Sequence, residues 1–344
     1  MPFTSPLIAW TEKGLFCRLG DFYIDPHRAV ETAIVTHAHS DHARRGSQRY
    51  ICAQSGVGLL KSRIGKNIRV QGVQFGEVFQ MGSVRVSLHP AGHILGSAQV
   101  RVQSGGEVWV ASGDYKRDPD PSCEPFESVA CDTFITEATF GTPKYAWKKD
   151  STYGQQIHEW WLENSLKGWN SVLFGYSLGK AQRILAELAP FAHRPVVIHE
   201  SITELTECYR LERRKLAPTR ELSMNNDLFF QEDIYAGELI LAPPSILKLD
   251  GIARLGRFKT AFASGWMQQT SYRYDHGFVM SDHADWNDIN RTIEESGAKR
   301  VFVQHRNGAL IKHLRSKGIE AHPDDALSVE NYQRLPQINL SFFP

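Results

Sequence analysis

Four ligand-type side chains fall within six residues, in the run His37-Ala38-His39-Ser40-Asp41-His42. Neutral imidazoles with a carboxylate suit zinc, manganese or iron. A histidine-rich surface loop is the plain alternative, but His93, Asp114 and His305 follow along the chain and complete a ligand set. His37, His39 and His93 would take one divalent metal, Asp41, His42 and His305 a second, and Asp114 would bridge them. Zn2+ is the first choice and Mn2+ the second. Such a pair sits about 3.5–4 Å apart and brings the pKa of a bridging water toward about 7, giving a hydroxide nucleophile at neutral pH. Asp25 reads either as a group that orients a ligand by hydrogen bonding or as a turn residue before Pro26, and its place in the pattern favours the first.

These residues need rigid supports, and strand-like runs end where they begin. Phe22-Tyr23-Ile24 leads to Asp25, Ala33 to Thr36 leads to His37, and Trp109 to Gly113 leads to Asp114. Gly14 to Cys17, Val84 to Leu88 and Gln99 to Val102 read as further strands; several are apolar without alternation, as in sheets buried on both faces. From about Tyr153 the texture changes to alternating helix and strand. Helices are expected over Gln155 to Leu166, Gly179 to Leu188 and Ser201 to Lys215, with Ser201 as N-cap. Strands are expected at Val172 to Phe174, Val196 to Ile198, Leu239 to Ala242 and Thr260 to Ala263. The first texture returns after about Tyr272: Gly277 to Met280 leads to His283 and Arg300 to Val303 to His305, followed by helices Trp286 to Glu295 and Ala309 to Lys317. An α/β chain with a second domain inserted into the first follows: 1–152 with 270–344 as the catalytic domain, and 153–269 as the insert.

Composition narrows the setting more than the substrate. The 344 residues carry 39 Lys and Arg against 38 Asp and Glu, so no global charge draws the chain to a polyanion. Five scattered cysteines without a Cys-x-x-Cys pair argue against a disulfide framework or a cysteine zinc knuckle. No signal-like or membrane-spanning run is visible, and a reducing, cytoplasmic location without membrane contact is expected.

Asp25, the His37 to His42 cluster, His93 in Ala-Gly-His-Ile-Leu-Gly-Ser and Asp114 in Ser-Gly-Asp-Tyr-Lys-Arg resemble the ordered motifs of the metallo-β-lactamase superfamily. Glu137 in Ile-Thr-Glu-Ala-Thr-Phe-Gly, His283 in Met-Ser-Asp-His-Ala-Asp-Trp and His305 in Val-Gln-His resemble the three motifs of its β-CASP nucleases. The resemblance implies an αββα sandwich with an inserted β-CASP cap, and 145 residues between Glu137 and His283 leave room for one. It also implies phosphodiester hydrolysis by a metal-bridging hydroxide. His283 would be the general acid and Glu137 its partner, with Asp41 and Asp25 completing the catalytic set. Ser177, Gly179 and Lys180, between a strand and a helix, would bind a backbone phosphate, or would simply start a solvated helix. Ser264 and Trp266 would line the cleft, with Trp266 stacked on a base or buried in a core. Arg44, Arg45, Lys116 and Arg117 are basic residues near the motifs that either engage flanking phosphates or face solvent.

The chain most resembles the bacterial ligase-associated DNA exonucleases, relatives of the messenger-RNA 3′-end processing nucleases. This implies a DNA exonuclease in DNA repair, acting alongside a ligase and a helicase. His305 pulls toward RNA, being more usual in RNA-cleaving members, and Gln304 to Gly308 departs from the usual Val-His-Gly-Glu. An RNA-processing endo- or exonuclease is therefore the alternative. An inserted cap with Glu137 and His283 argues against a small-molecule metallohydrolase, and the full ligand set against an inactive scaffold.

Overall fold

The computed structural model describes residues 5–147, 152–222, 236–248, 255–269, 273–306, 308–333 and 335. The expected resumption of the catalytic domain at 270 lies outside the described residues, as does Asn307 in the Gln304 to Gly308 loop. Among the described residues the strands form three sheets. The first runs, in spatial order, Ala9–Thr11, Gly14–Cys17, Phe22–Ile24, Thr32–Ile34, Arg49–Ala53 and Val70–Val73. The second runs Glu320–Pro323, Arg300–Val303, Thr133–Thr136, Glu107–Ala111, Ala98–Ser104, Val84–Pro90 and Val78–Met81. Arg300–Val303 lies parallel to Thr133–Thr136, so the chain leaves this sheet after 136 and rejoins it at 300.

Side-chain alternation explains why the strands read as unbroken apolar runs. Ile34 faces inward to the first sheet's contact with the second, while Ala33 and Val35 face outward onto the helix Val57–Ile64. In the second sheet Trp109, Ala111 and Phe302 face the first sheet, while Val110, Val301 and Val303 meet the helices Trp286–Ser296 and Gly308–Ser316. Successive residues of a strand point to opposite faces, and here both faces are covered. The result is four layers in the order helix, sheet, sheet, helix. Trp109 is fully buried at its centre, and truncating such a side chain to alanine costs about 3–5 kcal/mol.

The third sheet is all parallel, in the order Thr219–Glu221, Val196–Ile198, Leu239–Ala242, Asn170–Phe174, Phe258–Ala263 and His276–Phe278. Helices Tyr153–Leu166, Lys180–Leu188 and Glu200–Leu211 cover the face carrying Leu173, Leu239 and Leu241. The strand expected to lead back into the catalytic domain, at Gly277, pairs instead with Phe258–Ala263 and belongs to this sheet. The N-cap of Glu200–Leu211 is His199, not Ser201: the His199 ring accepts from the Ser201 amide at 3.2 Å.

Candidate metal centre

Asp25 follows the strand Phe22–Ile24 with a left-handed backbone, φ 45°. That turn aims its carboxylate at the end of the neighbouring strand. Oδ1 accepts from the Thr36 amide at 2.8 Å, and Oδ2 accepts from the Thr36 hydroxyl at 2.5 Å and from His42 Nδ1 at 2.7 Å. Since the Thr36 hydroxyl proton goes to Asp25, the oxygen is left to accept from His37 Nδ1 at 3.1 Å. One carboxylate thus sets the orientation of two histidines.

Two carbonyls fix two more rings. His39 Nε2 lies 3.1 Å from the Leu178 carbonyl, and His93 Nδ1 lies 2.7 Å from the Asp282 carbonyl. A carbonyl only accepts, so each of those nitrogens carries the ring proton. Burial, with the charge of His42 behind it, holds His37 neutral and well below the usual imidazole range. Burial does the same to His93, and lowers His39. The remaining nitrogens, His37 Nε2, His39 Nδ1 and His93 Nε2, are therefore three inward lone pairs. They stand 3.0 Å and 3.1 Å apart across His39, with no proton between them. Asp114 Oδ2 lies 3.5 Å from His37 Nε2 and 3.9 Å from His93 Nε2. Facing lone pairs repel one another, and a divalent cation is the group that fits them.

Asp114 reaches this point because Gly113, at φ 56°, lets its loop press on Thr36; a Cβ there would stand 2.7 Å from Thr36 Cβ. His42 Nε2 also lies 3.5 Å from Asp114 Oδ2, and 3.8 Å from the largely exposed Asp41 carboxylate. Burial opposes a charge on His42, but Asp114 and Asp25 outweigh it and push its pKa up to about 10. Burial raises Asp114. A dication beside them would expel the His42 proton and keep Asp114 ionised.

Among the described residues, ligand atoms of His37, His39, His93 and Asp114 lie within 4.8 Å of one another, as do those of Asp114, Glu137 and His283. Glu137 is fully buried at the end of Thr133–Thr136. Its Oε1 accepts from the Tyr115 amide at 3.1 Å and from His283 Nδ1 at 2.9 Å, and its Oε2 from the Thr139 amide at 3.1 Å. Burial opposes both charges, yet the pair sustains them: Glu137 is lowered and His283 is raised to about 9. The His283 ring stands 4.8 Å from that of His93 and keeps 23% of its side chain exposed. A charged imidazolium with one nitrogen anchored thus borders the metal cluster.

No model of a known protein family matches the chain. It is 30% identical over 316 residues, 90% of its length, to a probable DNA ligase of Opitutus terrae, of which it covers 30%. It is 27% identical over 207 residues to a ribonuclease of Thermus thermophilus, covering 50% of this chain and 46% of that one. An endoribonuclease of Eremothecium gossypii is 29% identical over 121 residues, 34% of this chain and 15% of that one. The chain is a relative of the β-CASP metallo-β-lactamase nucleases. It spans less than half the length of each of these curated relatives. The crystal structure of a protein of unknown function from Enterococcus faecalis V583 shares the fold, with a TM-score of 0.54 at 13% identity over 79% of this chain and 74% of that one.

Against the β-CASP expectations, several side chains stand elsewhere. Lys180 is not presented to a phosphate: it is 2% exposed, and its Nζ donates to Asp282 Oδ1 at 2.7 Å and to the Met280 carbonyl. The Gly179 amide is also taken, by Gln182 Oε1 at 2.8 Å, and the Ser177 hydroxyl meets that of Ser201 at 2.8 Å. The turn serves the site in another way. Its Leu178 carbonyl fixes the tautomer of His39, and Gly179, at φ 88°, packs where a Cβ would strike Ile94 at 2.4 Å. One turn on, Arg183 donates to the Ser281 carbonyl at 2.5 Å and faces Asp120 at 3.6 Å. The helix Lys180–Leu188 thereby grips Met280, Ser281 and Asp282, the three residues before His283.

Among the described residues His305 is in neither cluster of ligand atoms: it is exposed in the turn Gln304–Arg306, with a left-handed backbone at φ 61°, and Asp324 feels its charge. Lys116 is buried against Asp120, and Arg117 pairs with Glu295 at 2.7 Å, so neither is offered to a substrate. Ser264 is 5% exposed and accepts from the Trp266 amide at 3.3 Å. Trp266 is 43% exposed, with Phe140 at 4.8 Å and Tyr145 at 5.4 Å, and Phe140 in turn lies 6.1 Å from the His283 ring. Thr36, Leu178, Asp282 and Arg183 escaped the sequence reading. Thr36 and Asp282 directly precede motif histidines, which is the one local signal they carry.

Proposed function

We propose that the chain is a metal-dependent nuclease that hydrolyses phosphodiester bonds in DNA from an end, in the setting of DNA repair, on a metallo-β-lactamase αββα sandwich capped by its β-CASP insert. The observation that carries this reading is the set of three facing imidazole lone pairs with Asp114, bordered by the Glu137–His283 ion pair. His37, His39, His93 and Asp114 would hold one divalent metal, and Asp41 and His42, with Asp114, a second. Zn2+ suits the imidazole-rich site and Mn2+ the carboxylate side. When bound, the metals supply Lewis-acid polarisation of the phosphate and activation of water at neutral pH. The chain's own groups do the rest. Asp25 and Thr36 hold the ligand tautomers, Glu137 keeps His283 charged, and His283 gives its Nε2 proton to the leaving oxygen as the ester bond breaks.

The ligase-named relative supports DNA and a place beside a ligase, to which the proposal adds a helicase; the ribonuclease-named relatives support the second reading, an RNA-processing enzyme. End-labelled single-stranded DNA and RNA of matched sequence, incubated with Zn2+ or Mn2+, test this. Stepwise shortening of DNA from one end is expected. Preferential RNA loss would favour the second reading, and no loss of either, with metal bound, would overturn both.

A further inference from the structure

The chain as a whole is nearly neutral, yet residues 42 to 76 hold Arg44, Arg45, Arg49, Lys61, Arg63, Lys66 and Arg69 and no Asp or Glu. The fold gathers these seven. The Tyr50 amide donates to the Arg69 carbonyl at 2.9 Å, which sets Arg69, just before the strand Val70–Val73, beside the strand that begins at Arg49. The Tyr50 hydroxyl donates to the Arg44 carbonyl at 2.9 Å, drawing the Arg44–Arg45 loop over the same edge. Arg45 then donates to the Arg63 carbonyl at 3.4 Å, at the end of the helix that also carries Lys61. Arg63 Nε in turn donates to the Ala38 carbonyl at 3.2 Å, between His37 and His39. The patch therefore begins at the metal loop and runs outward from it.

Arg44, Arg45, Lys61, Lys66 and Arg69 are exposed. Among the described residues none of the seven sits in an ion pair, and the carboxylate that feels Arg44 is Asp41, at the head of the patch. The helix dipole accounts for Lys61 and Arg63 in a last turn, but not for the loop and strand residues. A membrane-binding face would add exposed apolar side chains, and none of the exposed large hydrophobics lies between 42 and 76. We propose that this face binds the phosphate backbone of the polynucleotide on the stretch running away from the metal centre. The proposal rests on the nuclease reading and adds to it a track for the uncut strand.

The test is a combined variant, Arg45→Gln with Lys61→Gln, Lys66→Gln and Arg69→Gln; Arg63 is left in place because it braces the metal loop. Binding of a fluorescent oligonucleotide is followed by anisotropy, with chelator present, over a range of salt. Each lost phosphate contact should flatten the slope of log affinity against log salt by about 0.9 for duplex and about 0.7 for single strand, so four should remove roughly 3. Affinity at low salt should fall at least about tenfold. An unchanged slope and affinity in a variant with wild-type circular dichroism and metal content would overturn the proposal, as would selective loss of binding to phosphatidylserine vesicles. In turnover, the loss on a long polynucleotide should exceed the loss on bis(4-nitrophenyl) phosphate; equal losses would count against it. If the wild type cleaves neither, the nuclease reading fails while the salt slope still decides the patch.

Discussion

His93 donates through Nδ1 to the backbone carbonyl of Asp282, 2.7 Å away across 189 residues of chain. The contact leaves His93 Nε2 as a lone pair facing His39, and it makes the loop before His283 part of the metal cluster's scaffold. Whatever holds Asp282 therefore holds the proposed ligand His93 and the proposed acid His283 together. Lys180 does so from the start of the helix Lys180–Leu188, through a buried pair at 2.7 Å.

Lys180→Met would leave the Asp282 carboxylate buried and short of its partner. Removing one member of a buried pair costs about 3–5 kcal/mol, so the urea midpoint should drop markedly. Adding Asp282→Leu removes the stranded charge and should recover part of that loss. A double variant no more stable than the single would show that the pair contributes packing alone.

His93→Ala and His37→Ala should each lower bound metal, measured by inductively coupled plasma mass spectrometry, and should reduce the rise in Tm that added Zn2+ produces. A ligand that binds only the folded state at about a hundred times its Kd stabilises by about 2.7 kcal/mol, and the variants should lose much of that. Wild-type metal content in either would remove the central claim.

How much of this was legible can be judged residue by residue. The His37 to His42 run and Asp114 follow buried strands that alternate between two covered faces, and that pattern stands in the local sequence. Lys180 was misread for the opposite reason. A Gly-Lys at a strand-to-helix turn looks like a phosphate loop, and its buried partner Asp282 lies 102 residues away, where no local signal reaches. His305 follows a strand much as His37 does, yet it ends exposed in a left-handed turn and is in neither cluster of described ligand atoms. Arg49–Ala53, the strand that begins inside the basic stretch, escaped because its apolar core is only Tyr50, Ile51 and Cys52, and Ala53 carries little strand propensity.

Gly113→Ala tests how tightly the Asp114 loop must approach. Alanine strains at φ 56°, and its Cβ would meet Thr36 Cβ at 2.7 Å. Together these should cost roughly 1–3 kcal/mol and displace Asp114 from His37. Metal affinity by competition with a chromophoric chelator should fall more than tenfold, while Gly76→Ala, where nothing lies within 4 Å, should leave it alone. Equal effects at the two glycines would assign the loss to backbone strain alone.

The pH dependence of turnover follows from His283. Its pKa is raised to about 9: burial opposes the charge, and Glu137 outweighs burial. A raised pKa means the protonated acid is fully present at neutral pH and is lost as pH climbs through about 9, so kcat should fall on that limb. Glu137→Gln removes the charge that sustains the proton. The limb should then move down toward the ordinary imidazole value of about 6.5, with kcat at pH 8 falling on the order of tenfold or more. On substrates with a 4-nitrophenolate leaving group, which needs no proton, the same change should matter far less. A limb that stays in place in Glu137→Gln, or equal losses on both leaving groups, would mean that His283 does not supply the proton.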